Sequence, residues 1–593
     1  MAACRGADGS DATYDPGART MTHDQQPSVT SDGGGPREPA GTPSGADAAG
    51  PGRRAAMRRH RRPLLVLAVC ALLVQMAFAM TTTAVRQTPT IDEPVYVGTA
   101  VVYLREHSLR FNPEHPPLGK LIIATGTVFA HPHLDPGFRG DQGELGRRLP
   151  YASGNDPWRV MFWARLPVMV VTLLFGLVVF GFARELTGCV GGLAALALYA
   201  FSPDLITNGS LATLDVPAAG FVVTAAWMVW RARRRALPYL PLAGVATGAA
   251  VATKMSTLPA VPVLLVLAGW SYWQAQGAGV ARSRRAARAG AAAVGVALVL
   301  VAVVWAVYLV VDPRLRWTTP AHTPAVHGPG ALLVHALPFP EPYRDGMRIQ
   351  FGFESAQWRG YLFGRLYTGN RWYYLPAALL VKTPLGMLAL WLGGAVAMAV
   401  VPRLRPAVPY VLLVPGVLLA AAMQGSRDLG VRYAIFVPVF LAVAAGCVLA
   451  LRRRWVYAVT AALVAFVAVS SVRTYPYYLP YSNEAFGGPK KTYLRLHDSN
   501  VDWGQDLGRL ADRLRERYPD EKSVWLVYKG SGVPSWYGVH GRDPLKVPPN
   551  RVHGLLVVSD TSIVKADARL KQLLRGSRAI DDVGHSITIF RRP

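Results

Sequence analysis

Apolar positions in this chain come in long continuous runs and not in the alternations of a soluble protein. The first run extends from Pro63 to about Thr83. Others sit near 158–183, 188–207, 211–230, 237–256, 257–275, 289–311, 376–401, 407–423, 432–450 and 455–471. A helix needs about 20 apolar residues to cross about 30 Å of hydrocarbon, so the pattern predicts about eleven transmembrane helices. Longer polar segments interrupt them at 84–157 and 312–375, and a tail runs from 472 to 593. The tail returns to soluble patterning: Ser523–Tyr528, Gly554–Val558 and Ser586–Phe590 read as strands and Ala568–Leu574 as a helix. Asn500 is expected to cap a further helix, with Asp502 and Asp506 in its first turn and Leu507, Leu510 and Leu514 along one face. The predicted fold is an all-α polytopic membrane protein over 63–471 with a small extracytoplasmic α/β domain over 472–593.

Charge fixes the expected orientation. The chain carries a formal +27, with 53 Arg against 10 Lys. Nineteen of those arginines lie in clusters at 53–62, 231–235, 282–288, 403–405 and 452–454 with no acid between them. Eleven spans put every cluster on one side, which the positive-inside rule makes cytoplasmic. The amino terminus is then cytoplasmic, the carboxyl terminus extracytoplasmic, and the protein a multi-pass plasma-membrane protein. The basic excess is a topology signal, so nucleic acid is not an expected partner. Residues 1–62 are rich in Gly, Pro, Ala, Ser and Asp before their basic end and are expected to be a disordered tail. The four cysteines show no metal-ligand spacing and no disulfide framework.

Candidate chemistry gathers on the segments expected outside. Asp92 and Glu93 stand about eight residues past the first span. Asn112-Pro113-Glu114-His115-Pro116-Pro117-Leu118-Gly119-Lys120 follows, its paired prolines holding His115 and Lys120 at a defined separation. The apolar stretch 121–130 is too short to span and is expected to lie at the interface. Arg165, Asp204, Asp215, Lys254 and Arg432 interrupt apolar runs, and charge in a span marks a site by default; each lies toward the outer end of its helix. Lys382 sits at the same boundary if Trp372–Val381 is interfacial. For any one of these charges, a snorkelling side chain or a helix–helix ion pair remains an equal alternative. Gly244 and Gly248 read as close helix packing. Acids above cations at the headgroup level suit a reaction whose leaving group is a lipid-linked phosphate.

At these residues the sequence resembles the polyprenyl-phosphate-dependent GT-C glycosyltransferases of family 39, the protein O-mannosyltransferase-like group. The likeness is carried by Asp92-Glu93, by His115–Lys120, by Ser202-Pro203 with Thr213-Leu214-Asp215-Val216-Pro217, by Val381-Lys382-Thr383-Pro384-Leu385 and by Arg432-Tyr433. In the tail, Tyr481–Pro489 and Asp498–Leu507 look like a bacterial subgroup. The resemblance implies inverting transfer of a sugar from a polyprenyl-phosphate donor to an acceptor hydroxyl. It implies Asp92 as base, Glu93 as an acceptor-orienting or supporting acid and Asp215 as a second acidic candidate. His115, Lys120, Lys382 and Arg432 are the donor-phosphate candidates, and a divalent metal is a candidate cofactor. The expected partners are the donor, membrane lipid and a glycan, lipid or protein acceptor.

Two other classes fit many spans and buried charges. A lipid or solute transporter predicts charges near the bilayer midplane and internal symmetry, and neither is visible here. A non-catalytic assembly protein would use the tail as a binding module.

Overall fold

The computed structural model describes residues 51–277, 279–521 and 523–593, with side chains from Arg62 onward. The expected disorder of the tail before residue 51 lies outside the described residues. A helix begins at Pro51 and continues to Arg86, so its first turns carry the basic stretch. From Val69 to Pro593 the chain is one compact unit.

Among the described residues, five helices are long and apolar enough to cross a membrane: Arg62–Arg86, Pro157–Thr187, Ala236–Thr253, Arg282–Val311 and Arg454–Thr474. Two broken pairs raise the number to seven: Cys189–Ala200 with Pro203–Gly209, bent by 63°, and Tyr374–Lys382 with Leu385–Val400, bent by 118°. Four apolar helices of 10–17 residues supplement them: Pro117–Ala130, Ala260–Ala275, Pro409–Ala422 and Phe436–Leu451. Several predicted runs are therefore realised as short or broken helices.

Proline sets both breaks. A residue before proline is pushed out of the helical region, and Ser202 (ψ 117°) and Thr383 (ψ 132°) are extended. Each break exposes helix-terminal backbone and plants a charge beside it: Asp204 in the first turn after one, Lys382 in the last turn before the other. The Gly244/Gly248 stripe packs against the Arg282–Val311 helix as expected. A Cβ at Gly244 would sit 2.8 Å from Val299, and one at Gly248 2.9 Å from the Leu300 carbonyl.

A hairpin, β1 (Arg359–Leu362) and β2 (Arg365–Thr368), turns at Phe363 and Gly364, both at positive φ. The tail carries a small β-sheet with helices against it. Its sheet comprises β3 (Val524–Val527), β4 (Gly541–Arg542), β5 (Gly554–Ser559), β6 (Arg578–Val583) and β7 (Ile587–Arg592), in the order β4-β3-β5-β7-β6. The β3 strand runs parallel to β4 and β5, whereas β7 is antiparallel to β5 and β6. Helices Leu507–Arg517 and Ala568–Arg575 cover its two faces, since Leu507 and Leu510 belong to one apolar cluster and Leu570 and Leu573 to another. Asn500 does not cap the first helix. That helix begins at Leu507, after Gly504 turns the chain at φ 87°.

Candidate active site

Asp92 and Glu93 are adjacent but have opposite environments. Asp92 ends the loop before the helix Glu93–Glu106, and glutamate at that first turn favours the positive end of the helix dipole. Glu93 then points inward and is fully buried. Its Oε1 accepts from Arg165 Nε at 2.7 Å and the Ala212 amide at 2.8 Å. Its Oε2 accepts from Arg165 Nη2 at 2.7 Å, the Thr90 amide at 2.9 Å and the Thr90 hydroxyl at 3.0 Å. Arg165 spends its remaining donors on the carbonyls of Ala84, Gln87 and Thr88. Burial alone would raise the Glu93 carboxyl, but the Arg165 charge and these hydrogen bonds hold it below its ordinary value. Every lone pair is used, so this acid braces the loop.

Asp92 keeps 27 % of its side chain exposed, against 0 % for Glu93 and 3 % for Asp215. Its Oδ2 accepts from Arg432 Nη1 at 2.7 Å. The Arg432 guanidinium lies 4.2 Å from the Trp503 ring and 5.0 Å from that of Tyr433, stacking that a planar delocalised cation favours. Asp215, in the first turn of the helix Asp215–Ala232, pairs with Lys254, which sits just past the end of Ala236–Thr253. Lys254 Nζ is 5.2 Å from the Tyr433 ring, and the Arg427 guanidinium is 5.8 Å from it. Arg427 is tied to Glu354 and to Gln350 Oε1, the latter at 2.7 Å. Two cations of the same stretch, Arg427 and Arg432, and one from a distant helix end, Lys254, thus approach one tyrosine ring.

Beside them opens a cavity of about 410 Å³. Apolar walls including Met255, Met347, Phe351 and Phe436 lead to His115, Lys254, Arg427 and Tyr433. A small adjoining space is lined by Asp215, Lys254, Arg432 and Tyr433. His115 stacks edge-on to Tyr96, and its buried Nδ1 has no hydrogen-bond partner among the described residues. Burial and the neighbouring Lys254 and Lys120 charges drive its pKa well below the ordinary histidine value, so the ring is neutral.

Lys120 and Lys382 stand elsewhere. Lys120 is fully buried and donates to Asn112 O and His115 O, each at 2.7 Å, and to Asn112 Oδ1 at 3.1 Å. All three N–H groups go into holding the loop that presents His115. Lys382 donates to the Leu479 and Asn500 carbonyls and lies 3.6 Å from Asp204, joining the two proline breaks to the tail. Neither lines the cavity. The contributions of Arg427, Glu354 and Trp503 were not foreseen, while Lys254 was noted only as an intramembrane charge.

The tail segment 497–507 completes the floor. The Thr88 and Ile91 amides donate to the Gln505 and Trp503 carbonyls, each at 3.0 Å, and Ser531 Oγ donates to Thr90 O at 2.9 Å. Asn500 Oδ1 accepts from the Val431 amide at 2.9 Å, and its Nδ2 donates to the Tyr374 hydroxyl at 2.9 Å. Gly430 is required where the two segments cross, because a Cβ there would come 2.0 Å from Ser499 Oγ. Among the described residues no group of three or more His, Cys, Asp or Glu side chains is placed to hold a metal ion. The carboxylates Asp92, Glu93 and Asp215 each face a cation instead. This donor set does not fit a divalent ion, and no step below uses one.

Broken apolar helices, buried ion pairs and an apolar cavity lined at one part by Lys254 and Arg427 together make up the candidate site. Residues 69–318 match the model of the PMT family, dolichyl-phosphate-mannose-protein mannosyltransferase. That stretch contains Asp92-Glu93, His115–Lys120 and Asp215, motifs on which the resemblance rests. Among solved structures it is similar to ArnT from Cupriavidus metallidurans bound to undecaprenyl phosphate, at 15% identity and TM-score 0.45, covering 89% of this chain and 98% of that one. It is also similar to the S. cerevisiae protein O-mannosyltransferase Pmt1-Pmt2 complex bound to the sugar donor, at 20% identity and TM-score 0.33, covering 42% and 33%. The Archaeoglobus fulgidus oligosaccharyltransferase in the apo form matches at 14% identity and TM-score 0.41, covering 76% and 58%. No curated protein matches the chain.

Proposed function

We propose that the protein transfers a sugar from a polyprenyl-phosphate donor to an acceptor hydroxyl at the extracytoplasmic face of the plasma membrane, with inversion. The observation that carries this reading is the meeting of Lys254, Arg427 and Arg432 at Tyr433, which lines the apolar cavity, while Arg432 also grips Asp92. The isoprenoid stem occupies the apolar part and its phosphate the cationic end. Asp92 takes the proton from the acceptor hydroxyl, whose oxygen bonds to the anomeric carbon from the face opposite the phosphate. The bond from that carbon to the phosphate oxygen breaks, and its electron pair leaves with the polyprenyl phosphate. Lys254, Arg427 and Arg432 stabilise the charge gathering on that phosphate, and the neutral His115 offers its free Nδ1 as a hydrogen-bonding group. Arg432 also orients Asp92 through its hydrogen bond to Oδ2. Asp215 sets the position of Lys254, Glu93 that of the loop, and Lys120 and Lys382 act as braces.

A radiolabelled polyprenyl-phosphate sugar, supplied to membranes containing the protein, tests the reading. Release of polyprenyl phosphate with label in an acceptor supports it; movement of intact donor without turnover identifies a transporter. Asp92→Asn is expected to lower turnover about 100-fold or more, within the range of a general base, with expression unchanged. Full activity in that variant removes the base assignment.

A further inference from the structure

Outside the cavity, the structure holds a second concavity. It lies between the β1–β2 hairpin and the helix Ala568–Arg575 of the tail domain, with a volume of about 630 Å³. Arg359 enters it from the hairpin, and Lys565, Lys571 and Arg575 from the tail domain. The one acid present, Asp567, has its Oδ1 committed to capping the helix at the Leu570 amide, 2.7 Å away. None of the four cations makes a salt bridge among the described residues. Arg359, Lys571 and Arg575 are exposed, whereas Lys565 is half-buried beside Arg359. Burial and nearby cations lower the Lys565 pKa to about 8, although Asp498 acts to raise it. Four like charges converging in one open cleft repel one another unless an anion enters.

The cleft backs onto the cavity. Tyr367 lines the cleft, and its hydroxyl donates at 2.8 Å to Oδ2 of Asp428, which lines the cavity on the other side. One hydrogen-bonded side-chain pair therefore links the cationic cleft to the space where the donor is placed. We propose that this cleft binds anionic groups of the acceptor, and that the acceptor is an extended phosphate-bearing chain whose hydroxyl reaches Asp92 while its neighbouring phosphates rest on Arg359, Lys565, Lys571 and Arg575. The shared wall favours acceptor over membrane: a headgroup contact has no need to adjoin the cavity. This assignment rests on the glycosyl-transfer reading.

The test uses the full chain in nanodiscs of neutral phosphatidylcholine. The probes are a fluorescent poly(glycerol phosphate) oligomer of about six units and a neutral polyglycerol of equal length. The wild-type protein is expected to bind the anionic oligomer and not the neutral one. The triple variant Arg359→Gln/Lys571→Gln/Arg575→Gln is expected to bind it about tenfold more weakly, the change that three partly exposed charge pairs together supply. Its slow hydrolysis of the polyprenyl-phosphate sugar by water, which needs no acceptor, is expected to equal wild type. Equal oligomer binding in the two proteins overturns the proposal, as does equal binding of the neutral chain. If instead the variant loses only sedimentation with phosphatidylglycerol vesicles, the cleft serves the membrane and the proposal fails. Absence of donor turnover in the wild type overturns the transfer reading, while the oligomer measurement still judges the anion site.

Discussion

Glu93→Gln separates a brace from a catalyst. The substitution keeps the side-chain shape but removes the charge facing Arg165 and turns one acceptor oxygen into an amide donor. At Oε1 it would face Arg165 Nε and the Ala212 amide, and at Oε2 Arg165 Nη2 and both donors of Thr90. Either orientation sets N–H against N–H in a fully buried site and leaves Arg165 without its counter-charge. Removing one partner of a buried ion pair costs about 3–5 kcal/mol. A loss of about 4 kcal/mol raises the unfolded fraction roughly a thousandfold at a fixed denaturant level. The assay is a denaturant titration in detergent micelles followed by tryptophan fluorescence, paired with donor turnover below the transition. Glu93→Gln is expected to unfold at markedly lower denaturant. The double variant Glu93→Gln/Arg165→Met, which removes the stranded cation, is expected to recover part of the loss. Unchanged stability with abolished turnover would refute the brace and make Glu93 a reacting acid.

Other expectations follow from the same geometry. Arg432→Lys keeps a charge but loses the flat stack over Trp503 and the fork beside Asp92, so turnover should fall about 10–100-fold with little change in melting; unaltered kinetics would contradict its place at the phosphate. Lys120→Met leaves the Asn112 and His115 carbonyls without donors, each worth about 1–3 kcal/mol. A pure loss of donor affinity in Lys120→Met, without loss of stability, would make that lysine a ligand. Burial pushes the Asp502 carboxyl up to about 7 and that of Asp560 to about 8, from an ordinary 3.8. Between those values the unfolded chain has released protons that the folded one still holds, so their stabilising contribution is complete below about pH 4 and is lost as pH rises through 7 and 8. Melting of the full chain in detergent should fall from pH 5 to 8.5, and Asp560→Asn should flatten the slope; a wild-type transition independent of pH would refute this.

The sequence disclosed the charges but not their partners. Asp92 and Arg432 were both candidates, yet 340 residues separate them, and only the folded chain pairs them. Lys120 and Lys382 followed the motif as well as His115 did. Their destinations depend on carbonyls at bends such as Asn112, which adopts φ 54°, and no residue code announces a free carbonyl. The strands read from β-rich alternation were found within two residues at each end. By contrast β6, Arg-Ala-Ile-Asp-Asp-Val, is polar and bulged between Ala579 and Asp581 and gave no such signal. Asn500 looked like a helix cap because acids follow it, but Gly504 delays the helix to Leu507, and the asparagine instead ties Val431 to Tyr374. Trp503 was invisible as a site residue because a buried tryptophan in a small domain is ordinarily core.

The placement of Trp503 and Asn500 bears on biogenesis. The loop with Asp92 is synthesised first and the turn with Arg432 much later, and the residues on which both rest, Asn500 and Trp503, come later still. A nascent chain interrupted before that point has neither Trp503 against Arg432 nor the Gln505 and Trp503 carbonyls that hold the Asp92 loop, so the candidate site is assembled only once the tail has been made.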